Sequence, residues 1–198
     1  MKAAQYHFIT NWQVEATCEE VYQTLKETND LPRWWQAVYL DVAVREKGDA
    51  DGRGKVVELY TKGWLPYTLI WQFRVIEVDP KNHSGFALEA FGDFVGRGVW
   101  TFEQRGTTCF ITYDWKIETE KPLLKYLSFL IKPIFSANHL WAMATGLESL
   151  KLELRRRKGA QNVPPPPSPT FPHNLLNNKI LQKSGQIGRA SCRERVWS

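Results

Sequence analysis

Residues 133–158, PIFSANHLWAMATGLESLKLELRRRK, place Leu140, Met143, Leu147, Leu150 and Leu154 at helical spacing. They end on Arg155 to Lys158, four cations where the helix dipole favours positive charge. The stretch predicts one long C-terminal helix, which Pro133 either begins or kinks away from Leu123 to Lys132 before it. Upstream of Lys121-Pro122, back to Val38, the apolar period is two instead. Val38 to Val44, Lys55 to Thr61, Tyr67 to Val78, Ser84 to Phe91, Gly98 to Glu103 and Thr107 to Ile117 are six predicted strands. Gly48-Asp-Ala-Asp-Gly52, Lys62-Gly-Trp-Leu-Pro66, Asp79-Pro-Lys-Asn82 and Gln104-Arg-Gly106 supply the turns between them.

Further upstream, Gln5 to Val14 alternates as a first strand with Tyr6, Phe8 and Trp12 on one face. Thr17 with Glu20 is a capping box for a short helix that runs to Lys26 on Val21, Tyr22 and Leu25. Leu31 to Trp35 makes a second, shorter helical turn. The predicted class is α+β, a seven-stranded curved antiparallel sheet wrapped around a long C-terminal helix, with two short helices after strand 1. An antiparallel sheet with one apolar face needs a cover, and only the final helix is long enough. The arrangement leaves a cavity between the two.

Composition agrees with a folded domain: 43% hydrophobic and 24% charged residues exclude a disordered or collagen-like chain. A domain of this size buries roughly 68–70% of its unfolded surface, so no disulfide staple is required. Cys18, Cys109 and Cys192 form no C-x-x-C pair, and no leader-like apolar run follows Met1. Both features point to a reducing, cytoplasmic setting. The longest apolar run, Tyr126 to Ile131, is far short of the ~20 residues that span a bilayer. The net charge of +5 is misleading, because residues 1–158 hold 21 basic against 20 acidic side chains. Without a basic face, nucleic-acid binding loses its support.

The domain boundary falls at Lys158. Residues 1–158 read as the ligand-binding domain, and 159–186, with Pro164 to Pro167, Pro169 and Pro172, as a proline-rich disordered tail. Residues 187–198 contain the in-frame translation of a common sequencing adapter and read as adapter read-through rather than native chain.

Particular motifs sharpen the reading. They are Arg33-Trp34-Trp35 with Ala37-Val38; Leu65-Pro66-Tyr67; Gly92-Asp93-Phe94 with Gly96 and Gly98-Val99-Trp100; Tyr113-Asp114-Trp115; Lys121-Pro122; and Phe135 with Asn138-His139, Met143 and Gly146. In this order the chain resembles the START-like (SRPBCC) superfamily of helix-grip proteins, with its bacterial polyketide cyclase/dehydrase and lipid-transport-like members. The resemblance covers about residues 3–157. It implies a cavity for lipids, polyketide-like aromatics or other small apolar molecules, and no single reaction.

Leu69, Trp71, Phe73, Trp100, Tyr113, Trp115, Phe135 and Met143 are the expected apolar walls of that cavity, although core packing also accounts for them. His139 is the best candidate for an acid/base residue, or else a hydrogen-bonded structural histidine. Asn138 either orients a ligand carbonyl or ties the helix to a strand. His7, His83, His139 and His173 are scattered, so neither metal nor cofactor is expected. The leading expectation is a carrier or sensor of a small hydrophobic or amphipathic molecule, without stable membrane insertion; transient membrane contact by Leu123 to Ile131 is secondary to packing of that stretch against the sheet. A polyketide cyclase/dehydratase using His139 and a co-chaperone-like interaction module are the alternatives.

Overall fold

The computed structural model describes residues 4–65, 68–119 and 128–170. Pro66-Tyr67, Lys121-Pro122, most of the Leu123 to Ile131 stretch and residues 171–198 lie outside them. Seven antiparallel strands form one sheet: β1 (Ala4–Glu15), β2 (Tyr39–Glu46), β3 (Val56–Lys62), β4 (Thr68–Val78), β5 (Gly85–Gly92), β6 (Val95–Arg105) and β7 (Thr108–Thr119). Their order is β1-β7-β6-β5-β4-β3-β2, so the first two strands in the chain form its two edges. Between them lie α1 (Cys18–Lys26), a 3-10 turn and the four-residue α2 (Leu31–Trp34). The last element is α3 (Ser128–Arg157), which packs across the concave face. This is the helix-grip arrangement expected from the sequence.

Local chemistry explains the elements. The Thr17 hydroxyl accepts from the Glu20 N–H at 3.1 Å while the Glu20 carboxylate accepts from the Thr17 N–H at 2.8 Å, closing the capping box that starts α1. Gly106, with φ of 58°, makes the tight β6–β7 hairpin. Pro133 sits inside α3, which is one helix in the described backbone. Met143, Leu150 and Leu154 of the expected stripe are buried, together with Phe135 and Asn138, but Leu140, also expected toward the core, is 64% exposed. At about 100° per residue, Leu140 lies one step beyond His139, which faces inward.

Two contacts set how α3 sits on the body. Gly146 faces the Trp35 indole, and a Cβ added there would lie 2.2 Å from the ring. Near the C-terminal end, Glu153 is 1% exposed and accepts from both terminal nitrogens of Arg33, at 2.8 and 2.7 Å, and from Arg157 Nε at 2.9 Å. Asp30 also accepts from Arg33 and Arg157, which links the 3-10 turn, α2 and α3. Burial works against the charged form of Glu153, but the bonds from Arg33 and Arg157 outweigh it and hold its carboxyl below the usual range.

After α3 the chain turns at Gly159, whose φ of 76° favours glycine, and runs back along the body. Of the predicted tail 159–186, residues 159–170 are described. The Pro164 carbonyl accepts from Arg156, the Pro166 carbonyl from Gln36 Nε2 at 3.0 Å, and the Trp64 carbonyl accepts from the Thr170 hydroxyl at 3.3 Å.

Two predictions concern the seat of α3. Gly146→Ala should cost about 1–3 kcal/mol in denaturant unfolding, because the indole must move, despite alanine's better helix propensity. An unchanged or raised midpoint would refute the contact. Glu153→Gln should cost roughly 1.5–3 kcal/mol at pH 7. A depressed carboxyl pKa stabilises above about pH 4.5 and fades as pH falls through the folded value, so the gap from wild type should narrow toward pH 3. An equal gap at both pH values would show that charge is not involved.

Candidate functional site

A cavity of about 100 Å³ lies between the strands and the first half of α3. Its floor is the concave faces of β4 and β7, with Leu69 and Trp71 on one and Tyr113, Trp115 and Ile117 on the other. Phe135, Asn138, His139, Ala142 and Met143 of α3 form its roof. Phe94, and Val38, Tyr39 and Gly63 at the two adjoining loops, close the sides. These walls belong to a chain of rings: Trp100 stacks on Tyr113 at 4.1 Å, Tyr113 on Trp115 at 5.6 Å, and Trp115 meets Trp71 at 5.7 Å. Gly98 is what lets the rings lie flat, since a Cβ there would stand 2.9 Å from both the Trp115 ring and the Tyr113 hydroxyl.

Each polar group follows from its surroundings. The Trp71 indole N–H donates to the Thr61 hydroxyl at 3.0 Å, so this buried donor is satisfied. The Asn138 carboxamide oxygen accepts from the Trp64 N–H at 2.9 Å, tying α3 to the β3–β4 loop. Burial pushes the Tyr113 phenol well above its usual range, with the neighbouring Tyr39 adding to the effect, and burial raises Tyr39 likewise. His139 stacks on Phe8 at 4.1 Å, and burial lowers its pKa to about 4. Among the described residues its buried Nε2 has no hydrogen-bond partner. At neutral pH the imidazole is therefore uncharged: it can donate one hydrogen bond and accept another, but it lacks the second proton that general-acid work needs. Lys62 borders the cavity, and burial lowers its pKa.

Of the predicted wall residues, Leu69, Trp71, Tyr113, Trp115, Phe135 and Met143 meet at this cavity together with Asn138 and His139. Phe73 and Trp100 do not. Phe73 lines a second cavity of about 60 Å³ beneath α1 with Tyr22 and Phe86, and Trp100 packs between Trp12 and Tyr113. Sequence reasoning missed Trp35, Tyr39, Thr61, Lys62 and Phe94. Thr61 was recoverable from strand parity, because it shares a face with Leu59 two residues away. Among the described residues no three His, Cys, Asp or Glu side chains gather to hold a metal ion, and no helix is long and apolar enough to cross a membrane.

No protein-family model matches this sequence, and no curated protein matches it. Solved structures do. The Zhui aromatase/cyclase from a Streptomyces species aligns with a TM-score of 0.63 at 16% identity, over 80% of this chain and 99% of that one. The protein TTHA0849 from Thermus thermophilus aligns with a TM-score of 0.61 at 18% identity, over 75% and 98%. A START superfamily protein from Mycobacterium smegmatis aligns with a TM-score of 0.56 at 14% identity, over 76% and 98%. The chain has the START-like fold. The cavity described above lies between the sheet and the long helix of that fold.

The imidazole makes a measurable prediction. A histidine whose pKa is lowered on folding binds fewer protons folded than unfolded, so stability is lost as pH falls from about 6.5 toward 4. At about 1.4 kcal/mol per pKa unit, wild type should lose roughly 2–3 kcal/mol across that window beyond the loss in His139→Gln. Parallel slopes in urea unfolding at pH 7 and pH 4.5 would show that His139 is not buried as described.

Proposed function

We propose that this protein binds a small apolar or amphipathic molecule in the cavity between sheet and α3, as a carrier or sensor. The observation that carries this reading is the cavity's composition. Aromatic side chains surround it, the Tyr39 and Tyr113 phenols are neutral at pH 7, and burial keeps the His139 imidazole neutral as well. Such a lining suits a ligand with a flat apolar body and one uncharged hydroxyl or carbonyl, which the Nε2 of His139 would meet. The Streptomyces neighbour is named an aromatase/cyclase, an activity that concerns a molecule of compatible kind. His139 gives acid–base turnover no support, because an imidazole with a pKa of about 4 is unprotonated and a weak base at pH 7.

Size adds a constraint. An apolar cavity of about 150 Å³ accepts benzene, and ligand sites commonly run from about 300 Å³ upward. This cavity, at about 100 Å³, is smaller than either, so uptake of anything larger than a single ring requires its walls to part. The test is to purify the full chain from bacteria, examine it by native mass spectrometry, and titrate it with the neutral probe N-phenyl-1-naphthylamine while exciting tryptophan. One probe per chain should bind with saturation. Ala142→Phe, which adds a ring to the roof, should weaken binding by about tenfold or more, equivalent to about 1.4 kcal/mol. Absence of any co-purifying apolar molecule, together with no uptake of the probe or of a panel of lipids and aromatics, would overturn the proposal.

A further inference from the structure

The described tail does not trail into solvent. Gln36 and Trp64, which hold it, each lie within two residues of the cavity lining: Gln36 precedes Val38 and Tyr39, and Trp64 follows Gly63. These two loops are the sides of the cavity, and the Lys62 N–H joins them by donating to the Val38 carbonyl at 2.9 Å. From Pro166 to Thr170 the chain crosses from one loop to the other, a span of about 12 Å at the polyproline rise of about 3.1 Å per residue. Trp64 is held from two directions at once. Its N–H is bonded to Asn138 on the roof and its carbonyl to Thr170 on the tail.

We propose that residues 163–170 form a strap across the rim of the cavity, and that its release is the step that admits and discharges ligand. The inference rests on the reading of the cavity as a ligand site. The chemistry of the strap suits the role. Prolines have no N–H to satisfy, so the strap offers carbonyls that Arg156 and Gln36 reach, and its restricted backbone loses little freedom on docking. Its anchors are a few partly exposed hydrogen bonds, weak enough to open locally while the sheet stays folded. A releasable strap joining the two loops at the rim reconciles the small volume with uptake of a larger molecule.

The test uses the full chain with two anchors removed, Gln36→Ala with Thr170→Val, neither of which lines the cavity. Stopped-flow measurement with N-phenyl-1-naphthylamine should show association and dissociation both faster by about tenfold, the order expected for loss of two modest hydrogen bonds, with Kd changed by less than about twofold. Hydrogen exchange at the Trp64 amide should accelerate in parallel. Unchanged rates with bound probe overturn the strap whatever the exchange shows. Should wild type take up no probe, the binding reading fails by itself and the amide decides: faster exchange at Trp64 supports the strap as a clamp on the rim, and unchanged exchange overturns it.

Discussion

A glycine opposite a tryptophan sets the geometry of this molecule. Gly146 has no side chain to hold α3 away from Trp35, so the helix comes to rest on the indole. Trp35 then meets Trp12 at 5.7 Å and Tyr39 at 5.0 Å, which carries the position of the helix into the edge strand on either side of the sheet. The ion-paired Glu153 fixes the far end of the same helix through Arg33, two residues before Trp35. Between these points α3 has little freedom to slide or roll. The cavity is what remains where its first half, facing Tyr113 and Trp115, finds no comparable wedge.

The two ends of the grip also differ electrostatically. At the Glu153 end charges are buried and compensated, with both carboxylate oxygens engaged by guanidinium groups. At the cavity end two phenols, a carboxamide and an imidazole are uncharged at neutral pH, and burial works against the charge of Lys62 beside them. A buried charge would demand a counter-charge from its ligand, whereas neutral groups ask only for a complementary hydrogen bond.

Legibility from sequence followed the range of the interactions. The capping box at Thr17 and Glu20, the Gly106 hairpin and the alternation along β4 are contacts within a few residues, and the sequence expresses each directly. The stripe of α3 was legible at Met143, Leu150 and Leu154 but not at its edge, because Leu140 and His139 differ by a single residue's rotation and only the facing sheet chooses which of them points inward. Arg33 and Glu153 are 120 residues apart, so nothing local announces their pairing. Phe73 and Trp100 lie on the concave face as strand parity requires, but parity cannot say which concave residues border a void and which are covered by another ring. The tail reads as disordered by composition because the anchors that hold it belong to Gln36, Arg156 and Trp64, not to the tail itself.

The strand order has a consequence for how the chain is made. Synthesis delivers β1 first, yet its neighbour in the sheet is β7, whose Thr108 pairs with Glu15 and whose Thr119 pairs with Ala4. The strands from β2 to β7 can zip together in sequence, each on the hairpin before it. During that time β1, with the large rings of Tyr6, Phe8 and Trp12, has no strand to receive it. At about 5–20 residues per second, the roughly 100 residues between the two take on the order of 5 to 20 s to emerge. The start of the domain is therefore the part of the sheet that waits longest for its partner strand.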